Sequence, residues 1–223
     1  MARTKICAVI VSSDLQVLGE IEDLIDLFEV RLDLIGPDWP EVVSHLGKPW
    51  IAANRIPEEG GKAKEDESER VEDLLKAVGL GASIVDLELR TENLKTLVPL
   101  IKKRARCLLS YHDLKGTPPL NQLKDTVRRE IASGADICKV VTTARSTEDN
   151  ITALQLIREF PGVRMVSLAM GDLGLASRIL SPIVGGDFTY ATLTRGKESA
   201  PGQMTVLELR RIYEMMGEKL ESD

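Results

Sequence analysis

The stretch "LNQLKDTVRREIASGADICKVVTTARSTEDNITALQLIREF", residues 120–160, reads as a helix, a strand and a second helix in succession. From Leu120 an amphipathic pattern runs to Gly134, a residue suited to closing a helix because it tolerates left-handed backbone. "ADICKVV", from Ala135, is short, apolar and β-branched, the mark of a buried strand. "STEDNITALQLIREF" resumes the helical period. Ser146 is its expected cap, and Glu148 and Asp149 place negative charge in the first turn, against the positive end of the helix dipole.

The same alternation extends in both directions. Seven further runs have strand character: "KICAVIV" from Lys5, "LFEVRLD" from Leu27, "PWIAANR" from Pro49, "SIVDLEL" from Ser83, "RCLLSYH" from Arg106, "VRMVSLA" from Val163 and "DFTYATL" from Asp187. Helical patterns lie between them, beginning at Asp14, at Glu67 and at Thr91, the last with Thr91 as expected cap. A final pattern, "MTVLELRRIYEMMGEKL", closes the chain. Strand then helix, repeated about eight times without a break in composition, predicts a parallel sheet covered by helices. Eight such repeats in 223 residues fit an α/β fold of one domain over 1–223, a (β/α)8 TIM barrel. An open doubly wound sheet is the alternative. It would place a Gly-x-Gly-x-x-Gly turn after its first strand in a dinucleotide-binding form, and none follows "KICAVIV". The charge run from Lys64 to Glu69 reads as a solvated loop.

Composition narrows the function classes. The chain is 43% hydrophobic and 29% charged, with a net charge of −6. That balance argues against a nucleic-acid binder, which needs a basic face, but leaves room for a local cluster of arginines around a small anion. Cys7, Cys107 and Cys138 are odd in number, widely spaced and set in apolar runs, as expected of buried reduced thiols. No CxxC or HExxH spacing suggests a metal. The basic start and short apolar run of "MARTKICAVIV" read as a first strand rather than a signal peptide, and no apolar run reaches membrane-spanning length. A cytoplasmic protein is the expectation.

In a barrel of this kind the active site lies at the C-terminal ends of the strands, and unusual polar residues gather there. Glu29 and Arg31 are two apart on the second strand, so they share a face. Arg55 ends the third strand, Asp86 and Glu88 sit on the fourth, and His112 ends the fifth in "SYHD". Lys139 lies within the sixth, and "MGDLGLASR" after the seventh leads to Arg178. Taken singly, each has an ordinary reading: strand-end ion pairs worth little, a structural histidine, a surface arginine. His45, in a short helical pattern, keeps that ordinary reading. Together the others converge on one rim. Lys139 is the most informative, because an ammonium in a strand interior is costly to bury unless paired. Facing the lumen, with apolar walls and arginines lowering its pKa, it is a candidate nucleophile for a ketone. His112, on the adjacent strand, suits proton transfer near neutrality. Rim arginines suit a carboxylate or phosphate.

"EVRLD", "R…EGG", "SYHD", "CKVV", "MGDLGLASR" and "SAPGQ", in this order and spacing, resemble the type I 3-dehydroquinate dehydratases of the shikimate pathway over nearly the whole chain. The resemblance implies dehydration of 3-dehydroquinate to 3-dehydroshikimate without metal or cofactor. It implies Lys139 as the imine-forming residue, His112 as general base and then acid, and Glu59 as the carboxylate that assists it. Glu29, Arg31 and Arg55 would contact and position the substrate. Arg178 would grip its carboxylate, and Ser199 and Gln203 would close over it from the loop after the eighth strand. A homodimer is a further expectation; nucleic acid and membrane are not expected partners. Asp86 and Glu88 receive no role. Two departures stand out: the first strand offers no small polar residue, and "SLA" precedes "MG" where many members carry a sulfur-bearing or other residue near the imine. The residues alone leave two alternatives, another Schiff-base barrel of the class I aldolase kind and a non-catalytic barrel binding a small acid. The borohydride adduct on Lys139 would separate all three.

Overall fold

The computed structural model describes residues 4–64 and 66–218. Among these, eight strands form one parallel sheet: β1 (Ile6–Ile10), β2 (Leu27–Arg31), β3 (Trp50–Ala53), β4 (Ile84–Glu88), β5 (Arg106–His112), β6 (Ile137–Thr143), β7 (Met165–Met170) and β8 (Thr189–Thr192). Ladders join them in the order β7-β6-β5-β4-β3-β2-β1-β8. The sheet curls until its two edges meet, where the Asp187 amide donates to the Met165 carbonyl across 2.8 Å. The result is the nearly closed (β/α)8 barrel, a single domain, that the alternation predicts.

Helices α1 (Leu18–Ile21), α2 (Leu32–Ile35), α3 (Trp39–Val43), α4 (Glu67–Gly79), α5 (Leu94–Ile101), α6 (Leu120–Ala132), α7 (Asp149–Glu159), α8 (Leu175–Leu180) and α9 (Val206–Met215) lie between and after the strands. Gly134 ends the turn after α6 at φ +93°, as its position predicts. Other boundaries differ from the pattern. The helix expected from Asp14 begins at Leu18 and passes into a 3-10 turn over Glu22–Leu24. Thr91 does not cap α5, because Asn93 takes a left-handed φ of 57° just before the helix. The Thr91 hydroxyl instead accepts a hydrogen bond from Arg70 at 3.1 Å. Nor does Ser146 cap α7. The Asp149 carboxylate reaches back to the amides of Arg145 and Ser146 at 2.6 and 2.9 Å, and the helix starts at Asp149, two residues later than a Ser146 cap implies. The charge run is only partly loop: Asp66 caps α4 by accepting from the Glu69 amide, and Glu67 to Glu69 are helical. α9 carries a capping box between Thr205 and Glu208; the end of its sequence pattern, Lys219 and Leu220, lies outside the described residues.

Strand parity divides the core. On β6, Ile137 and Val141 face the lumen with Cys7, Ile51, Leu108 and Val166. Cys138 and Val140 face outward against Leu123, Val127 and Leu156 of α6 and α7. Both faces are dry, which is why these strands read as continuous apolar runs. Lys139 shares the parity of Ile137 and Val141, so the fold sends its ammonium inward. Cys7, Cys107 and Cys138 are all free and buried.

Candidate active site

A cavity of about 300 Å³ opens at the C-terminal ends of the strands. Its walls include every residue that the resemblance assigns to the site: Glu29, Arg31, Arg55, Glu59, His112, Lys139, Arg178, Ser199 and Gln203. Their positions follow from the sheet. Register pairs Ser110 with Lys139 and His112 with Val141, so His112 stands above Lys139 on the neighbouring strand.

Lys139 is 4% exposed. Its Nζ donates to Glu29 Oε2 at 3.1 Å and to Asp86 Oδ2 at 2.9 Å. This corrects the sequence reading, which set apolar walls and arginines around it. Arg55 is indeed close, but Asp86 Oδ2 accepts from both cations and so lies between them. Burial alone would raise the Asp86 carboxyl; Arg55 and then Lys139 outweigh it and hold Asp86 well below the usual carboxylate range. Glu29 and Arg31 share a face as expected, but they do not pair with each other. Arg31 makes a two-pronged pair with Asp33 at 2.9 and 2.7 Å, which leaves Glu29 to Lys139.

His112 and Glu59 form the second unit. Glu59 Oε2 accepts the His112 backbone amide at 3.0 Å and meets ring Nδ1 at 2.9 Å. Once Glu59 is ionised its Oε2 can only accept, so Nδ1 carries the hydrogen and Nε2 holds the free lone pair. Burial, then the charges of Arg55 and Lys139, push the imidazole well below its ordinary value. It is therefore a neutral base at physiological pH. Glu59 moves the opposite way: burial raises its carboxyl from 4.5 to about 7, against the pull of Arg55. Gly61 makes this turn possible, because a Cβ there would lie 1.9 Å from the Arg55 carbonyl oxygen.

Arg178 is not the surface arginine that an amphipathic helix allows. It is 2% exposed on α8, its Nη2 donates to the Pro201 carbonyl at 3.0 Å, and its Nε makes no hydrogen bond among the described residues. Burial lowers it to about 10. A buried guanidinium with donors to spare is built for an anion. The loop after β8 lies over it. Gln203 Oε1 accepts from the Ser199 amide at 2.9 Å, Gln203 Nε2 donates to Ser199 Oγ at 3.0 Å, and the Gly171 amide donates to the Pro201 carbonyl at 3.1 Å.

Asp86 and Glu88 now have structural roles. Arg55 donates to Asp86, to Glu88 at 2.9 Å and to Ser110 at 2.7 Å. Glu88 is also paired, at 2.9 Å, with Arg70 of α4, which is 1% exposed. Arg70 and Ser110 were not legible as site support. Tyr190 was missed too, although its inward parity with Phe188 on "DFTYATL" is the signal that finds it. None of the lining residues comes from β1, in keeping with its apolar sequence. Leu168 of "SLA" lines the cavity, and the sulfur nearby is that of Met170. His45 is exposed beyond α3.

Fold and site together define a (β/α)8-barrel enzyme with a polar, anion-receptive pocket at its C-terminal mouth. The family model for type I 3-dehydroquinase matches residues 6–220, so the chain belongs to that family, and its activity is that of a hydro-lyase, a 3-dehydroquinate dehydratase. It is 44% identical to the 3-dehydroquinate dehydratase of Dehalococcoides mccartyi (strain BAV1) over 186 residues, 83% of this chain and 84% of that one. It is 34% identical to the 3-dehydroquinate dehydratase of Methanocaldococcus jannaschii over 198 residues, 87% of this chain and 89% of that one. Among solved structures, the 3-dehydroquinate dehydratase of Geobacillus kaustophilus HTA426 superimposes with a TM-score of 0.84 at 27% identity, covering 96% of this chain and 91% of that one. The aldolase and non-catalytic readings are thereby set aside. Among the described residues no helix is long and apolar enough to cross a membrane.

Proposed function

We propose that the chain dehydrates 3-dehydroquinate through an imine on Lys139, with His112 as the proton-transfer group. The observation that supports this best is the pairing of a buried lysine amine with a neutral histidine one strand away, inside one pocket. Substrate enters with its carboxylate on Arg178 and its hydroxyls among Glu29, Arg31, Arg55, Ser199 and Gln203. Lys139 gives up a proton to Glu29, which returns it when the carbinolamine oxygen leaves, and the neutral amine attacks the ketone. The carbinolamine loses water to give a protonated imine.

That cation is an electron sink. His112 Nε2 removes the α-proton, the C–H electrons flow toward nitrogen, and an enamine forms. Glu59 accepts the Nδ1–H and stabilises the imidazolium as it appears. The imidazolium returns its proton to the β-hydroxyl, which leaves as water while the enamine electrons restore the protonated imine, now conjugated. Hydrolysis frees the enone and the lysine. The loop bearing Ser199 and Gln203 excludes bulk water during these steps. The homodimer is an expectation of the resemblance and the cytoplasmic setting one of the sequence, read by sedimentation and by fractionation.

The test is the enone absorbance that dehydration creates. Lys139→Ala should abolish both turnover and imine. His112→Ala should keep the imine and stop turnover; full activity in that variant would remove His112 from its role.

A further inference from the structure

The Nζ of Lys139 lies 4.4 Å from the centroid of the Tyr190 ring, within the range where an aromatic face attracts a cation. Tyr190 is 4% exposed and stands in an edge-on contact with Phe188, centroids 5.4 Å apart at 76°. That contact fixes the ring plane. Its hydroxyl meets no partner in hydrogen-bond geometry among the described residues; burial, then the nearby Glu29 carboxylate, push the phenol well above its ordinary value, so the ring stays neutral. The side chain lines the cavity.

We infer that the face of Tyr190 is a cation platform for the protonated imine on Lys139. The inference rests on the imine reading above. The lysine ammonium has three N–H groups and spends two of them on Glu29 and Asp86. When it condenses with a ketone, nitrogen becomes trigonal and keeps one N–H. It can then serve one carboxylate, while the positive charge spreads onto carbon. A hydrogen-bond acceptor cannot follow that charge, but the ring face can, because its attraction needs no N–H. A neutral ring also takes no proton from the iminium, as a second carboxylate could. The platform therefore gains importance as the ammonium becomes the iminium, which makes Tyr190 a catalytic residue in contact with the reacting nitrogen.

The test is a series at position 190: Tyr190→Phe, then phenylalanines with one, two and three ring fluorines, which keep the shape and progressively weaken the quadrupole. The readout is the fraction of Lys139 reduced by borohydride at subsaturating 3-dehydroquinate. The Phe variant should trap within about twofold of the parent, with a stepwise fall to roughly a tenth in the trifluorinated ring and in Tyr190→Leu. A flat series overturns the platform while leaving the imine intact. A Phe variant that falls as far as the Leu variant assigns the effect to the hydroxyl and also overturns it. Absence of an adduct in the unsubstituted enzyme overturns the imine reading and the platform with it.

Discussion

Glu59→Gln separates the charge of the Glu59 carboxylate from its shape, and the structure sets the size of the effect. Folded, Glu59 keeps its proton to about pH 7, and its ordinary value is 4.5. A group raised on folding contributes stability that is complete below its unfolded value and is lost as the pH rises through its folded value. The gap is about 2.5 pH units, and each is worth about 1.4 kcal/mol, so the wild type should lose about 3 kcal/mol relative to the glutamine variant between pH 4.5 and 7. Glu59 is 7% exposed, so solvent screens little of this. The glutamine keeps an oxygen for the His112 amide and ring but cannot ionise. Denaturant unfolding of both proteins from about pH 4 to 9 reads the difference. Activity should move in the opposite direction. The wild type should show an acid limb in kcat/KM near pH 7, where Glu59 must ionise to stabilise the imidazolium. The variant should lack that limb and plateau roughly 10- to 100-fold lower. Parallel stability curves, or an unchanged acid limb in the variant, would refute the assignment.

Other substitutions probe separate parts of the site. Arg178→Leu should lower kcat/KM roughly 10- to 100-fold, the worth of a lost charge-assisted contact of about 1.5–3 kcal/mol. The same variant should unfold at equal or higher denaturant, because it removes a buried guanidinium whose Nε is unpartnered among the described residues. Gly202→Ala should raise KM several-fold with the melting temperature changed by a few degrees at most. Gly202 sits at φ +76°, and a Cβ there would lie 2.5 Å from the Gly171 carbonyl oxygen, so the loop over the pocket must shift while the barrel need not. Arg70→Ala should cost about 3 kcal/mol of stability by leaving Glu88 short of a cation in a dry setting; adding Glu88→Gln should recover part of it.

The barrel was legible because both faces of its strands are dry and its helices are amphipathic, so the alternation of periods survives in composition. Helix starts were less legible, since the left-handed Asn93 and the back-reaching Asp149 decide them through geometry that residue type does not specify. The site residues were legible as a set on one rim. Their partners were not. Glu29 and Arg31 look like a pair in sequence, yet Asp33 takes the arginine and Lys139 takes the glutamate. The ammonium looked unpaired because the carboxylates that reach it come from β2 and β4, distant in sequence. Arg70 has no mark in the sequence beyond its place in the helical pattern from Glu67, and only the packing of α4 on β3 and β4 shows that it supports Glu88. Tyr190 carried no motif at all; its place over the lysine is a consequence of barrel closure.

The central claim is that Lys139 forms the covalent adduct. Borohydride added to enzyme and 3-dehydroquinate, followed by peptide mass spectrometry, reads this directly. The account predicts one stable adduct, on the peptide carrying Lys139, with activity lost in step with labelling. Turnover that continues under reductant with no adduct, or an adduct on another lysine, would contradict it.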